Sequence, residues 1–233
     1  MAKKEWKQRL IPKKALFRAS LIWETWVQTC YNYERMMGQV VAHMFSAIIG
    51  FLYKDDPSKR KEVMKREIEF FNVHIEFGSC ILGMAVALEE QKAMGENIPG
   101  EFITNLKTSL MGPLAGMGDT IWQGVVIPIL LAVCIDLTRS GSGNVWGAVI
   151  YAVVIVVVAY ALSYWNFMFG YKAGSEAIMD FLEKGILNKL IKGASIMGCM
   201  VMGGLIVNYV KVKCGITIST SGSDFSLQES LFD

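Results

Sequence analysis

Gly116-Met-Gly-Asp119 sets one carboxylate directly behind a glycine-dense turn that contains Pro113, at the mouth of a strongly apolar segment. Charge at membrane depth is expensive, so an acid there marks a functional site by default. Irregular Gly/Pro backbone is tolerated at that depth only where protein or a water-filled cavity covers it. Two kinds of chemistry fit: a solute pathway or an intramembrane catalytic centre.

Aspartyl proteolysis within a membrane, where the Gly-x-Gly-Asp pattern is known, needs two carboxylates sharing a proton, because like charges held close cannot both ionise. The next aspartate is Asp136 on the same segment, ~25 Å away if the chain between is helical. The missing dyad, and the missing Tyr-Asp and Pro-Ala-Leu sequences, reject proteolysis. A phosphate-cradling loop also fails, since no Gly-Lys-Ser/Thr follows the glycines and no strand precedes them. His43 and His74 are the two histidines. Without an acidic or cysteine partner at ligand spacing they read as packed or hydrogen-bonded side chains. Glu34-Arg35, within Asn32-Tyr-Glu-Arg-Met36, fits either the lining of a polar site or an adjacent surface ion pair. Asp119, directly before Thr120-Ile-Trp, is as well placed to cap a helix start as to line a solute path, and no catalytic or metal-ligating set emerges.

The elements that hold these residues follow from the spacing of charge. The 233 residues are 53% hydrophobic, with a mean hydropathy of +0.37, yet 19% are charged. That mixture is the mark of an integral membrane protein with aqueous-facing parts, and a net charge of +2 offers nothing for nucleic acid. The five cysteines show no zinc spacing; their odd number and the apolar settings of Cys134 and Cys199 predict free thiols. The 32 residues from Ser140 to Tyr171 lack any Asp, Glu, Lys or Arg, and Val145 to Trp165 is long enough to cross a bilayer. Gly193 to Val210 is a second candidate span. Ile121 to Ile135, with the Gly/Pro stretch before it, predicts a broken or re-entrant segment.

Residues 1–111 are rich in charge, with amphipathic stretches between, and read as a helical, cytoplasmic or interfacial half. Gly38 to Tyr53 reads as an interfacial or partly inserted helix. A helix over Lys59 to Phe71, with Val63, Ile68 and Phe71 on one side, continues with a bend through His74 to Ala93. Residues 101–111 lead as a short helix into Gly112, and residues 112–233 form the membrane-embedded region. Ile216 to Ser223 is extended, and Phe225 begins a last helix. The basic N-terminal arm and the six Lys/Arg against three acids in Lys54–Arg66 favour a cytoplasmic N-terminus. Gly112/Gly116, Gly143/Gly147, Gly170/Gly174 and Ala194/Gly198 stand four apart, a spacing that lets helix backbones approach. Trp23, Trp26, Trp122, Trp146 and Trp165 fit interfacial anchors or core. The fold class is therefore all-α, a polytopic membrane protein.

Taken in order, Asn32-Tyr-Glu-Arg-Met36, Glu69-Phe-Phe-Asn-Val-His74, Ile81–Glu90 and Leu110–Thr120 resemble the IID component of the mannose/fructose/sorbose family of the bacterial phosphoenolpyruvate-dependent sugar phosphotransferase system. Phe167–Gly174 and Leu227–Asp233 add to the resemblance, which covers nearly the whole chain. Two departures stand out: family members carry proline where Ile75 follows His74, and they continue beyond Asp233, so the chain looks C-terminally truncated. The resemblance implies a non-catalytic membrane subunit with no phosphohistidine and no cofactor. It also implies contact with a sugar, which needs planar polar groups that bond paired hydroxyls, and Asp119, Glu34 and Asn72 are this chain's candidates for them. Its implied partners are a IIC membrane subunit and IIA and IIB phosphocarriers, in an oligomeric complex of the bacterial cytoplasmic membrane that takes up a mannose-type hexose or amino sugar. A transporter or channel subunit without phosphotransfer coupling is the alternative.

Overall fold

A computed structural model describes residues 9–138 and 145–174 with their side chains, the backbone at 139 and on to Lys184, Ile196, Met200, Gly203, and two short strands at 217–220 and 223–226. The chain divides into two compact units, 1–198 and 199–233.

In the first unit, α1 (Lys13–Trp26) begins after the extended Pro12. It buries Ala15, Leu16, Ala19, Ser20 and Trp23, the one-sided spacing of an amphipathic helix. α2 (Gly38–Ser46) and α3 (Ile49–Leu52) follow. Val40, Val41, Met44, Phe45 and Ile48 are sunk in the protein core, so the Gly38–Tyr53 stretch turns its apolar side to protein and leaves Gln39, His43 and Ser46 exposed. α4 (Pro57–Glu67) is strongly specified at both ends. Asp56 accepts from Lys59 N at 3.0 Å, Pro57 occupies the first turn, and Lys65 and Arg66 close the last.

The helix expected to run from Lys59 to Ala93 is instead two helices. Ile68–His74 is irregular, Phe71 pairs with the 35–37 segment, and α5 (Ile75–Ala93) starts only after the extended His74. Ile75 therefore stands at a helix start without needing proline there. α5 is buried nearly all round, as befits a helix without an amphipathic pattern. It ends at Gly95, φ 106°, where Gly95 N and Glu96 N donate to Lys92 O and Gln91 O. This is a left-handed stop that glycine adopts without steric cost.

α6 (Gly100–Gly118) runs without a gap into a π-helical segment, Asp119–Val126, and then α7 (Ile127–Arg139). The interruption expected at the Gly/Pro stretch is thus a change of helical pitch inside one long rod. Pro113 removes a backbone donor, and Thr120 Oγ1 donates to Gly116 O at 2.8 Å, competing for a ladder acceptor. The division drawn after residue 111 falls inside α6. α8 (Trp146–Lys184) contains the other apolar run. Gly100–Thr138 and Trp146–Gly174 are both long and apolar enough to span a membrane. Gly193–Val210 and the 140–144 connection lie outside the described residues.

α8 packs chiefly on α5. Gly170 and Gly174 both face α5, where Ala87 Cβ would lie 2.9 Å from a Cβ on Gly174. Gly147 sits against Thr138 and the Cys134 carbonyl of α7, while Gly112 and Gly116 face open space. Gly143, Ala194 and Gly198 lie outside the described residues. Cys30, Cys80 and Cys134 are free, and Cys30 is exposed.

In the second unit, β1 (Thr217–Thr220) pairs antiparallel with β2 (Ser223–Ser226), Ile218 opposite Phe225. The extended reading of 216–223 stands, but Phe225 and Ser226 are strand, not the start of a helix; 227–233 lie outside the described residues.

Candidate functional site

The loop after α1 is shaped by one asparagine. Asn32 Oδ1 accepts from Glu34 N at 3.1 Å and Arg35 N at 2.9 Å, a side chain imitating a backbone turn. Met36 then takes a left-handed conformation, φ 50°, rare for a non-glycine residue. This turn delivers Met37 N to Phe71 O at 2.8 Å, and Phe71 N returns to Arg35 O at 3.2 Å. The two irregular segments, 29–37 and 68–74, are thereby fastened edge to edge.

That fastening brings Glu34 and Asn72 onto neighbouring loops. Tyr31 donates its hydroxyl to Asn72 Oδ1 at 2.9 Å, and Asn72 N donates to Met111 Sδ at 3.2 Å. Asn72 itself is exposed. Glu34 pairs with Arg35 at 3.2 Å, both open to solvent. The pair is therefore a surface ion pair and also part of a cleft bounded by Cys30, Asn32, Tyr33 and Gln39. Tyr33, 96% exposed, stands at its rim.

Asp119 lies on the helical rod beside the second loop. Gly118 is so close to the His74 ring that a Cβ would collide with it, and the Asp119 charge acts on His74, two residues beyond Asn72. The three candidates do not touch one another. Asp119 does not cap a helix either: its backbone is helical, φ −59° and ψ −40°, inside a continuous rod with no helix start for its carboxylate to cap.

Buried ionic groups on and around α5 are the features that pattern reading missed. Arg66 donates from both Nε and Nη2 to Glu89 Oε1, and Lys107 Nζ meets Glu67 Oε2 at 2.8 Å. Burial works against the charge on Arg66, but Glu89 and Glu67 outweigh it and hold the guanidinium above its ordinary range. At the C-terminal end of α5, Glu90 accepts from Leu10 N and Ile11 N at 2.8 and 2.9 Å, and from the Tyr171 hydroxyl. At the other end, His74 and Glu76 are buried side by side. The signal lay in the acids set in the apolar run Ile75–Leu88, at Glu76, and directly after it, at Glu89-Glu90; their partners are up to 81 residues away in sequence.

An all-helical body with two apolar helices able to cross a membrane, and polar loops gathered on one strip of its surface, defines a helical membrane-transport subunit. The family model for the PTS system mannose/fructose/sorbose family IID component matches residues 10–233, and the chain belongs to that family. It is 37% identical over 194 residues to the PTS system mannose-specific EIID component of Escherichia coli (strain K12), covering 82% of this chain and 67% of the relative. It is 31% identical over 213 residues to the fructose permease IID component of Bacillus subtilis (strain 168), covering 91% and 76%. A chain in the cryo-EM structure of the mannose transporter ManYZ in complex with microcin E492 superposes with a TM-score of 0.76 at 31% identity, covering 96% of this chain and 82% of that one. The protein is a membrane subunit of a sugar phosphotransferase system.

Proposed function

We propose that the chain acts with a IIC membrane subunit to move a mannose-type hexose or amino sugar across the bacterial cytoplasmic membrane as IIB, charged by IIA, phosphorylates it. On this reading the chain transfers no phosphoryl group itself, residues 1–111 are cytoplasmic or interfacial, and 112–233 are embedded. Its N-terminus is on the cytoplasmic side, and it works in an oligomeric complex.

The observation that carries the reading is the division of the surface. Ile129, Val133, Val153, Val157 and Phe169 are exposed on the long helices, an apolar exterior suited to lipid or another apolar helix rather than water. The polar groups instead collect on the fastened loops. There Asn72 makes no hydrogen bond through its side-chain N–H groups among the described residues, so those donors are free to meet sugar hydroxyls. Glu34 and Asp119 are exposed as well, and each offers a carboxylate to such hydroxyls.

Phosphoenolpyruvate-driven sugar uptake by membranes holding the full set of IIA, IIB, IIC and this chain tests the proposal. Uptake should disappear when this chain alone is omitted. Uptake that persists without it, or that proceeds without phosphorylation, would overturn the assignment.

A further inference from the structure

Glu24 of α1 points toward α8, where the Ser163 hydroxyl is close enough to favour its ionised form. Yet Glu24 Oε2 and Ser163 Oγ both lack a hydrogen bond of good geometry, and Ser163 is fully buried. Nearby, His74 Nδ1 lies 3.1 Å from Glu76 Oε2 but is out of line for a hydrogen bond, and His74 is only 6% exposed. The surrounding frame is closely tied. Trp23 Nε1 donates to Ile75 O at 3.0 Å, Asn166 Nδ2 to Glu76 O at 3.2 Å, and Ser79 Oγ to Ser163 O at 2.8 Å. Buried polar atoms left unpaired inside a well-bonded frame are rare and costly. These are the groups that a change of protonation would re-pair.

The charges point the same way. Acting on the cluster among the described residues are Glu24 from α1, His74 and Glu76 at the start of α5, and Asp119 at the start of the π segment, the last through His74. α8 supplies Ser163 and Asn166, and its Tyr160 is bound to Thr25 at 3.0 Å. Among the described residues, no Lys or Arg is a main influence on the charge of Glu24 or Glu76. Two acids confined together without a cation are relieved most simply by protons.

We propose that Glu24, Glu76 and His74 form a proton-binding site at the junction of α1, α5 and α8, in which a protonated Glu24 is relieved of repulsion from Glu76 and lets α1 rest against α8. Raising the pH transfers the Glu24 proton to water and leaves a carboxylate beside Glu76, which loosens α1. Burial is the largest influence and pushes the Glu24 carboxyl up to about 7; Ser163 pulls it back and Glu76 pushes it further up. Glu76 is likewise raised, chiefly by burial, and His74 is lowered by it.

The test is infrared titration of the chain in lipid nanodiscs, with hydrogen exchange read over α1. A protonated-carboxyl band should be present well below neutrality, vanish as pH rises through about 7, and be missing from Glu24→Gln. Exchange across Lys13–Trp26, corrected for the intrinsic pH effect, should accelerate over the same range in the parent and stay flat in the variant. A band untouched by Glu24→Gln, or exchange indifferent to pH in the parent, overturns the proposal. Should Glu24→Gln fail to fold, Ser163→Ala keeps the acid and removes the group that favours its ionised form. Its band should then titrate at higher pH than the parent's, and an unmoved midpoint also overturns the proposal.

Discussion

Gly83 and Gly170 are reciprocal notches where α5 and α8 cross: a Cβ on Gly83 would strike the Phe167 carbonyl, and one on Gly170 the Cys80 carbonyl. Each helix rests its backbone in the gap left by the other's glycine, the close approach that small residues permit. The crossing fixes Glu90 against Tyr171 at one end and Glu76 against Asn166 at the other.

Gly83→Ala or Gly170→Ala should therefore destabilise the fold by about 1–3 kcal/mol, because the obstructing atoms are backbone and cannot rotate away. Gly112→Ala, at a position facing open space, is the control and should be close to neutral. Thermal unfolding midpoints in detergent compare the three. Equal midpoints for all would refute the notch.

Lys107 and Glu67 are 3% and 0% exposed and bonded at 2.8 Å. Lys107→Met should cost about 3–5 kcal/mol by stranding a buried carboxylate. Adding Glu67→Gln should recover much of that loss, since no uncompensated charge then remains. A double-mutant cycle measures the recovery, and strict additivity would argue against a coupled pair.

His74 makes one contribution to acid sensitivity. Burial lowers its pKa below the ordinary 6.5, and the charge on Asp119 only partly offsets this. The unfolded chain then takes up a proton that the folded chain refuses, so the His74 contribution to stability is lost as pH falls below 6.5. The stability difference between the parent and His74→Asn should shrink on acidification through that window. Glu24, raised to about 7, acts with the opposite sign, losing stability as pH climbs from its ordinary 4.5, so comparison with the single variant isolates the histidine. A pH-independent difference would assign His74 no role in acid sensitivity.

Within the assembled permease, Asn72→Ala, Glu34→Gln and Asp119→Asn should each raise the sugar concentration for half-maximal uptake. About tenfold corresponds to one hydrogen bond worth ~1.4 kcal/mol. Co-purification with the IIC subunit should be unchanged, because none of the three side chains is buried. Loss of the partner with unchanged uptake affinity would recast the strip as a docking surface.

Much of this was legible in sequence, because the signals are local. Uncharged runs mark spanning helices, since the bilayer penalises charge wherever it occurs along the run. Asp56-Pro57 marks the start of α4 by occupying its first donors, and the ordered motifs carry the family. Legibility failed where several local choices are nearly equal. Ile68–His74 has a helical pattern, but Phe71 gains a backbone partner in the 35–37 segment by leaving the helix. Gly112–Asp119 looks like a break, yet neighbouring turns carry the rod through it with a change of pitch.

The sequence by itself determined the class of element and the apolar surfaces, through periodicity that acts over a few residues. Only the tertiary structure decided which acids are paired, which are stranded and which face water. Glu90, Glu76 and Glu24 are alike in type; what separates them is whether a donor from a distant segment reaches them. Hydrogen bonds and desolvation act over a few ångströms of space, and no spacing along the chain encodes that distance.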